Sequence, residues 1–120
     1  IDHFKAINDE FGHDEGDLVL QQLATKYNSA FVNNAVFARL GGEEFGGYLP
    51  TGNISQAAEF CGQLIDIAHN IKVKQVKPLT VSIGMALQSA NESLDKVMKR
   101  ADMALYVAKN NGRDQYKIAP

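Results

Sequence analysis

The sequence predicts an α+β domain in two layers, with helices packed on a largely antiparallel sheet. Three observations carry this. Two apolar runs, Ala35 to Leu40 and Phe45 to Leu49, flank Gly41-Gly42. Gly-Gly between strand-like runs signals a hairpin, because the tight turns that match strand twist need positive φ. Leu79 to Leu87 alternates with period two, as a half-buried strand does. The intervening stretches repeat apolar residues at helical spacing, so the order reads strand end, helix, hairpin, helix, strand, helix, strand.

Each element has its own signal. Ile1-Asp2-His3-Phe4 reads as the tail of a strand already under way, which suggests a piece of a longer polypeptide cut inside an element. Phe4, Ile7 and Phe11 then recur at helical spacing before Gly12 ends the turn. A longer helix starts near Gly16 or Asp17, with Leu20, Leu23, Ala24, Tyr27 and Phe31 as its stripe, and Asn33-Asn34 breaks it. After the hairpin, Pro50-Thr51-Gly52 makes a turn and Asn53 is a fair N-cap, with Gln56 three residues on. Ala57, Phe60, Cys61, Leu64, Ile65, Ala68 and Ile71 mark the second helix. Lys72 to Pro78 reads as a basic, solvated connector. In the strand that follows, Gly84 suggests a bulge or a close backbone approach. Asn91 or Ser93 caps a third helix, which Asn110-Asn111-Gly112 terminates, and Gln115 to Ala119 is a short last strand.

Composition bounds the function classes. A chain of 120 residues is one domain by length, and 45% apolar with 22% charged residues is ordinary for a soluble globular protein. A net charge of -2 gives no basic footprint, so a nucleic acid polymer is not the expected partner. No apolar run reaches membrane-spanning length and no signal peptide is visible. Cys61, the single cysteine, falls on the apolar side of a helix and reads as buried filler.

The chemistry-bearing residues fall into clusters. Glu43 and Glu44 follow the glycine turn, and hard oxygen ligands on a rigid turn suit Mg²⁺, which takes one or two carboxylates plus phosphate oxygens. A solvated hairpin tip explains them equally well. Asp2 stands at a strand end, usually a surface position. His3-Phe4-Lys5 offers successive N–H groups, a possible phosphate nest. Asp17 can accept from N–H groups such as those of a guanine edge and Asn8 can both donate and accept, although Asp17 also fits plain helix capping. Lys109 and Arg113 flank a helix terminus, where the dipole favours cations anyway.

Together they are specific. Ile1-Asp2-His3-Phe4-Lys5-Ala6-Ile7-Asn8-Asp9, Gly12-His13, Gly16-Asp17, Arg39 with Gly41-Gly42-Glu43-Glu44-Phe45, and Arg100 to Lys109 with Gly112-Arg113 occur in one order. The chain strongly resembles the GGDEF family, the diguanylate cyclases of bacterial signalling, in the GGEEF form of the signature. The resemblance runs from Ile1 almost to the end. It implies a ferredoxin-like, nucleotidyl-cyclase palm-type domain over residues 1–120, truncated at its N-terminal strand. It also implies condensation of two GTP into cyclic di-GMP with release of pyrophosphate, in a homodimer whose domains each hold one GTP.

Position by position, Glu43 matches the metal-binding carboxylate and Ile1 a backbone carbonyl ligand, the metal being Mg²⁺ or Mn²⁺. Glu44 matches the second acidic position, near the reacting hydroxyl. Asn8 and Asp17 match the guanine-reading pair, and Phe4 and Lys5 match backbone donors to phosphate. Lys109 and Arg113 match cations on the phosphates, while Gly41 and Gly42 let the α-phosphate lie over the turn. An upstream sensor or receiver domain and a cytoplasmic setting, for a soluble or membrane-tethered parent, are further implications.

Three departures from the family pattern temper this. The first aspartate of the motif Asp-x-Asp-x-Phe-Lys would precede Ile1, so a chain starting there is expected to bind metal poorly and turn over little. Gly46-Gly47 stand where apolar strand residues are usual, at roughly 0.5–1 kcal/mol each. Val32-Asn33-Asn34-Ala35 replaces the inhibitory product site Arg-x-x-Asp, so no tight product inhibition through it is expected. An enzyme and a catalytically inactive GTP-binding or protein-interaction module are therefore both carried forward. A purely structural domain would leave the joint occurrence of the clusters unexplained.

Overall fold

The computed structural model describes residues 1–31 and 35–120. The expectation about product inhibition rests on Val32-Asn33-Asn34 and lies outside the described residues. The chain divides into two units, residues 1–50 with 66–80 and residues 51–65 with 81–120.

In the first unit, no strand tail is found at the start. Asp2 and His3 form a turn, His3 has φ 56°, and helix α1 spans Phe4–Phe11 with Ile7 buried. Gly12, at φ 93°, returns its N–H to the Asn8 carbonyl (2.9 Å) and redirects the chain straight into α2, His13–Ala30. That start is three residues earlier than Gly16 suggests, because Gly16 is an interior helix residue. Asp14 and Glu15 favour the N-terminal end of the helix dipole, and Val19, Leu20, Leu23 and Tyr27 are buried.

Strands β1 (Val36–Gly41) and β2 (Glu44–Tyr48) form the expected antiparallel hairpin, with a register irregularity between Arg39 and Gly41. The glycines of β2 do not leave packing gaps. Phe37 pairs with Gly47 and covers it, so an added Cβ would sit 3.0 Å from the ring, and Leu40 covers Gly46 in the same way. The Phe37 ring also stacks on Tyr27 of α2 (centroids 5.3 Å apart), which anchors the base of the hairpin.

The stretch read as a solvated connector is instead a small antiparallel hairpin, β3 (Lys72–Val73) and β4 (Lys77–Pro78). Val73 is buried there, so the lysines hid an apolar anchor between them. Lys74 and Gln75 both take left-handed φ, and the Glu15 carboxylate accepts from the Lys74 N–H at 2.7 Å.

The second unit contains the start of α3, Ile54–His69. Asn53 Oδ1 accepts from the N–H groups of Ser55 (2.8 Å) and Gln56 (3.3 Å), the cap the sequence suggests. The Gln56 side chain accepts from the Thr51 hydroxyl rather than reaching back to Asn53. Strand β5 covers only Ser82–Met85 of the alternating run and pairs with β6, Gln115–Ile118, in parallel. The described strands form three two-stranded pieces, two antiparallel and one parallel, in keeping with the expected largely antiparallel layer.

Helix α4 spans Leu94–Asn110, capped by Ser93, whose hydroxyl accepts from Lys96 N–H at 3.2 Å. It lies directly on Gly84, where a Cβ would collide with the Ala101 carbonyl and the Leu105 backbone. The close approach expected at that glycine is what occurs. Arg100 on α4 gives 2.7 Å hydrogen bonds to both Glu92 oxygens and one of 2.5 Å to the Leu87 carbonyl. These Arg100 bonds, with the Ser89 N–H, hold the Glu92 carboxyl down at about 2. A depressed carboxyl stabilises the fold above its ordinary 4.5, and that contribution fades as pH falls toward about 2. Glu92→Gln should therefore flatten the acid limb of a melting-temperature profile across that window, leaving the profile above it parallel to the parent's.

Candidate functional site

The signature turn is offset by one residue from the Gly41-Gly42 expectation. Gly41 closes β1 and Glu44 opens β2, so Gly42 and Glu43 are the turn residues. Gly42 has φ 51° at the first turn position, the arrangement that calls for glycine there. Arg39 Nε donates to the Gly42 carbonyl at 2.7 Å and braces the turn. Gly41 is different: its φ is not positive, and a Cβ there would meet nothing within 4 Å. Neither its backbone nor its neighbours demand a glycine.

Glu43 and Glu44 are exposed. The Ile1 nitrogen donates to the Glu43 carbonyl at 3.3 Å, which brings Ile1 against the turn. One exposed carboxylate with a main-chain segment beside it fits the mode in which Mg²⁺ takes few protein oxygens and completes its shell with water and phosphate. Among the described residues, no three His, Cys, Asp or Glu side chains group as a cage for a metal. Asp2 is buried and structural: its N–H donates to the Thr80 carbonyl (3.0 Å), and the Thr80 hydroxyl donates to its carboxylate (2.9 Å).

The nest expected of His3-Phe4-Lys5 is a helix N-terminus, since α1 starts at Phe4. The first N–H groups of a helix lack intrahelical partners, so Phe4 and Lys5 keep the donor character assigned to them. Asn8 and Asp17 lie on α1 and α2. Asp17 stands inside α2, past its first turn, so capping does not explain it. Gly16, which the sequence reading passed over as a site residue, builds this corner. A Cβ there would collide with Asn8 Oδ1 and stand 3.2 Å from Phe4 Cζ, so the Asn8 amide rests in the notch that glycine leaves. A glycine inside a helix pattern, next to an aspartate without a capping role, is the signal that could have found it.

In the second unit, Lys109 occupies the last turn of α4 and Arg113 follows Gly112, which has φ 111°. Both cations are exposed, and no hydrogen bond or ion pair engages either side chain among the described residues. Cys61 is buried, with its thiol pushed up to about 12 by burial and its Sγ 3.7 Å from Met85 Sδ, consistent with inert filler. Among the described residues, no helix is long and apolar enough to cross a membrane.

Comparisons with known proteins bear on family and fold. Residues 1–115 match the family model described as diguanylate cyclase, GGDEF domain. The chain is 40% identical over 118 residues to the diguanylate cyclase DgcM of Escherichia coli K12, covering 98% of this chain but 29% of that protein. Two solved structures superpose closely. One is the GGDEF domain of DgcB from Caulobacter crescentus in complex with c-di-GMP, at TM-score 0.89 and 34% identity, covering 98% of this chain and 72% of that one. The other is the active GGEEF domain of a diguanylate cyclase from Vibrio cholerae, at TM-score 0.88 and 33% identity, covering 100% of this chain and 78% of that one. These likenesses show the α+β palm-type fold. With the signature turn, they make the chain a member of the GGDEF family of diguanylate cyclase domains.

Proposed function

We propose that this domain condenses two GTP molecules into cyclic di-GMP and pyrophosphate, acting as a homodimer in bacterial second-messenger signalling. The observation that carries the reading is the open space over Gly41, a glycine that neither backbone conformation nor packing requires. Room for a phosphate against the main chain is the use that remains. Glu43 at the turn, with the Ile1 carbonyl, would hold a Mg²⁺ or Mn²⁺ ion, and family members generally use a divalent metal. When bound, that ion supplies charge stabilisation at phosphate oxygens.

The chain's own groups do the positioning. Asn8, seated against Gly16, and Asp17 present acceptors and donors suited to the guanine edge. In the first unit Phe4 and Lys5 offer main-chain N–H groups suited to phosphate, and in the second Lys109 and Arg113 are unengaged cations of the kind that pair with phosphate oxygens. Glu44 is the acidic group nearest in sequence for the reacting hydroxyl. Residues 1–120 act as one GGDEF domain of a longer cytoplasmic or membrane-tethered protein, with an upstream sensor or receiver domain controlling dimerisation.

A second reading, a domain that binds GTP without turning it over, is favoured by the burial of Asp2. Its carboxylate is committed to Thr80. Incubation of the full-length protein, which carries the residues before Ile1, with GTP and Mg²⁺, followed by chromatography, separates the readings. Cyclic di-GMP supports the first, bound GTP without product supports the second, and neither binding nor product defeats both. Gly16→Ala provides a finer check. Its methyl group displaces the Asn8 amide, so GTP affinity should fall by about tenfold, the worth of one lost buried hydrogen bond. Discrimination between GTP and ATP should fall with it, as read by competition binding.

A further inference from the structure

The loop after α4 carries a second device. Arg113 (φ 63°) and Asp114 (φ 48°) stand consecutively in the left-handed region, which residues other than glycine avoid. Two sets of hydrogen bonds hold them there. The Arg113 N–H returns to the Ala108 carbonyl at 3.0 Å and closes the helix end. The side-chain amide of Gln115 then donates to the Asn111 carbonyl (2.9 Å) and the Arg113 carbonyl (3.0 Å), so that one nitrogen bridges both sides of Gly112. An amide nitrogen has two N–H groups, and this bridge accounts for both.

We propose that Gln115 is a positioning residue for Arg113, fixing the loop so that the guanidinium is presented to a nucleotide phosphate. The proposal rests on the reading of Arg113 as a phosphate-binding cation given above. Gln115 is itself held, because it opens β6 and pairs with Ser82 of β5. The clamp therefore has a rigid base, and it sets the direction in which the Arg113 side chain leaves the backbone. That side chain has no internal partner among the described residues, so the clamp serves no ion pair within the fold. A cation held in place before its ligand arrives loses less freedom on binding, which is how a hydrogen bond remote from the phosphate strengthens its capture.

Equilibrium titration of the full chain with GTP and with guanosine tests this. Gln115→Met keeps the side-chain length but removes both donors. It should weaken GTP binding by about tenfold while leaving guanosine binding unchanged. Arg113→Ala should weaken GTP binding at least as much, and Gln115→Met should add nothing in that background. Gln115→Asn keeps an amide but withdraws it by one methylene. It should show the same split, and it guards against a failure of Gln115→Met to fold. An unchanged GTP affinity in both Gln115 variants, with Arg113→Ala weakened, overturns the positioning role alone. An unchanged affinity in Arg113→Ala overturns the phosphate reading beneath it. Equal weakening of GTP and guanosine makes Gln115 a general structural residue and overturns the proposal.

Discussion

Glu43→Ala in the full-length protein should cut cyclic di-GMP formation by roughly a hundred- to a thousandfold, the scale of losing one preorganised charge-stabilising group. Its fold should survive. Glu43 is exposed at a turn, and its contact with Ile1 uses the main-chain carbonyl, which alanine retains. A melting temperature close to the parent's is therefore expected, since surface changes usually lie within about 0.5 kcal/mol. Glu43→Gln keeps the shape and removes the charge, so an equal loss would assign the effect to the carboxylate. Retention of more than about a tenth of the product rate in either variant would remove Glu43 from the machinery. The same assay with a chelator in place of Mg²⁺ should reproduce the loss in the parent chain.

Gly84→Ala should be the most destabilising single-methyl addition among the described glycines that sit inside β5 or α3. The methyl would enter space held by the Ala101 carbonyl and the Leu105 backbone of α4. Backbone cannot swing aside as a flexible side chain can, so α4 must lift from β5 along the contact. Overpacking typically costs about 1–3 kcal/mol, and a backbone clash belongs at or above the upper end. Gly62→Ala is the matched control: Gly62 lies inside α3 and an added Cβ meets nothing within 4 Å. That change should stabilise by up to about 1 kcal/mol through helix propensity. Urea unfolding of the two variants measures the contrast, and equal midpoints would show that α4 does not rest on Gly84.

Local chemistry made much of the molecule legible, and the failures share a cause. Asn53 and Ser93 were readable as caps because a side-chain oxygen before an amphipathic run has a definite use. Asn8, Asp17, Glu43 and Arg113 could be grouped as expected site residues because their order matches a family signature. Gly16 was misread as a helix start because a glycine usually breaks a helix, and the side chain it accommodates comes from another helix. Lys72 to Pro78 looked like solvent-facing chain because three lysines outweigh two valines in composition, though Val73 is buried. Parallel pairing of β5 with β6 leaves no mark in either strand's own pattern. The Gln115 clamp was invisible for the same reason, since it depends on two left-handed residues that composition does not announce.

The Phe37–Gly47 pair makes two positions behave as one heritable character. A Cβ at 47 would stand 3.0 Å from the ring at 37, so a side chain enters there only if that ring gives way by a few tenths of an ångström, which disturbs its packing on Tyr27. Among descendants of this sequence, a glycine at 47 should travel with an aromatic at 37, and a larger residue at 47 with a smaller one there. Drift at either site is thereby slowed, even though neither residue touches the turn that carries the signature.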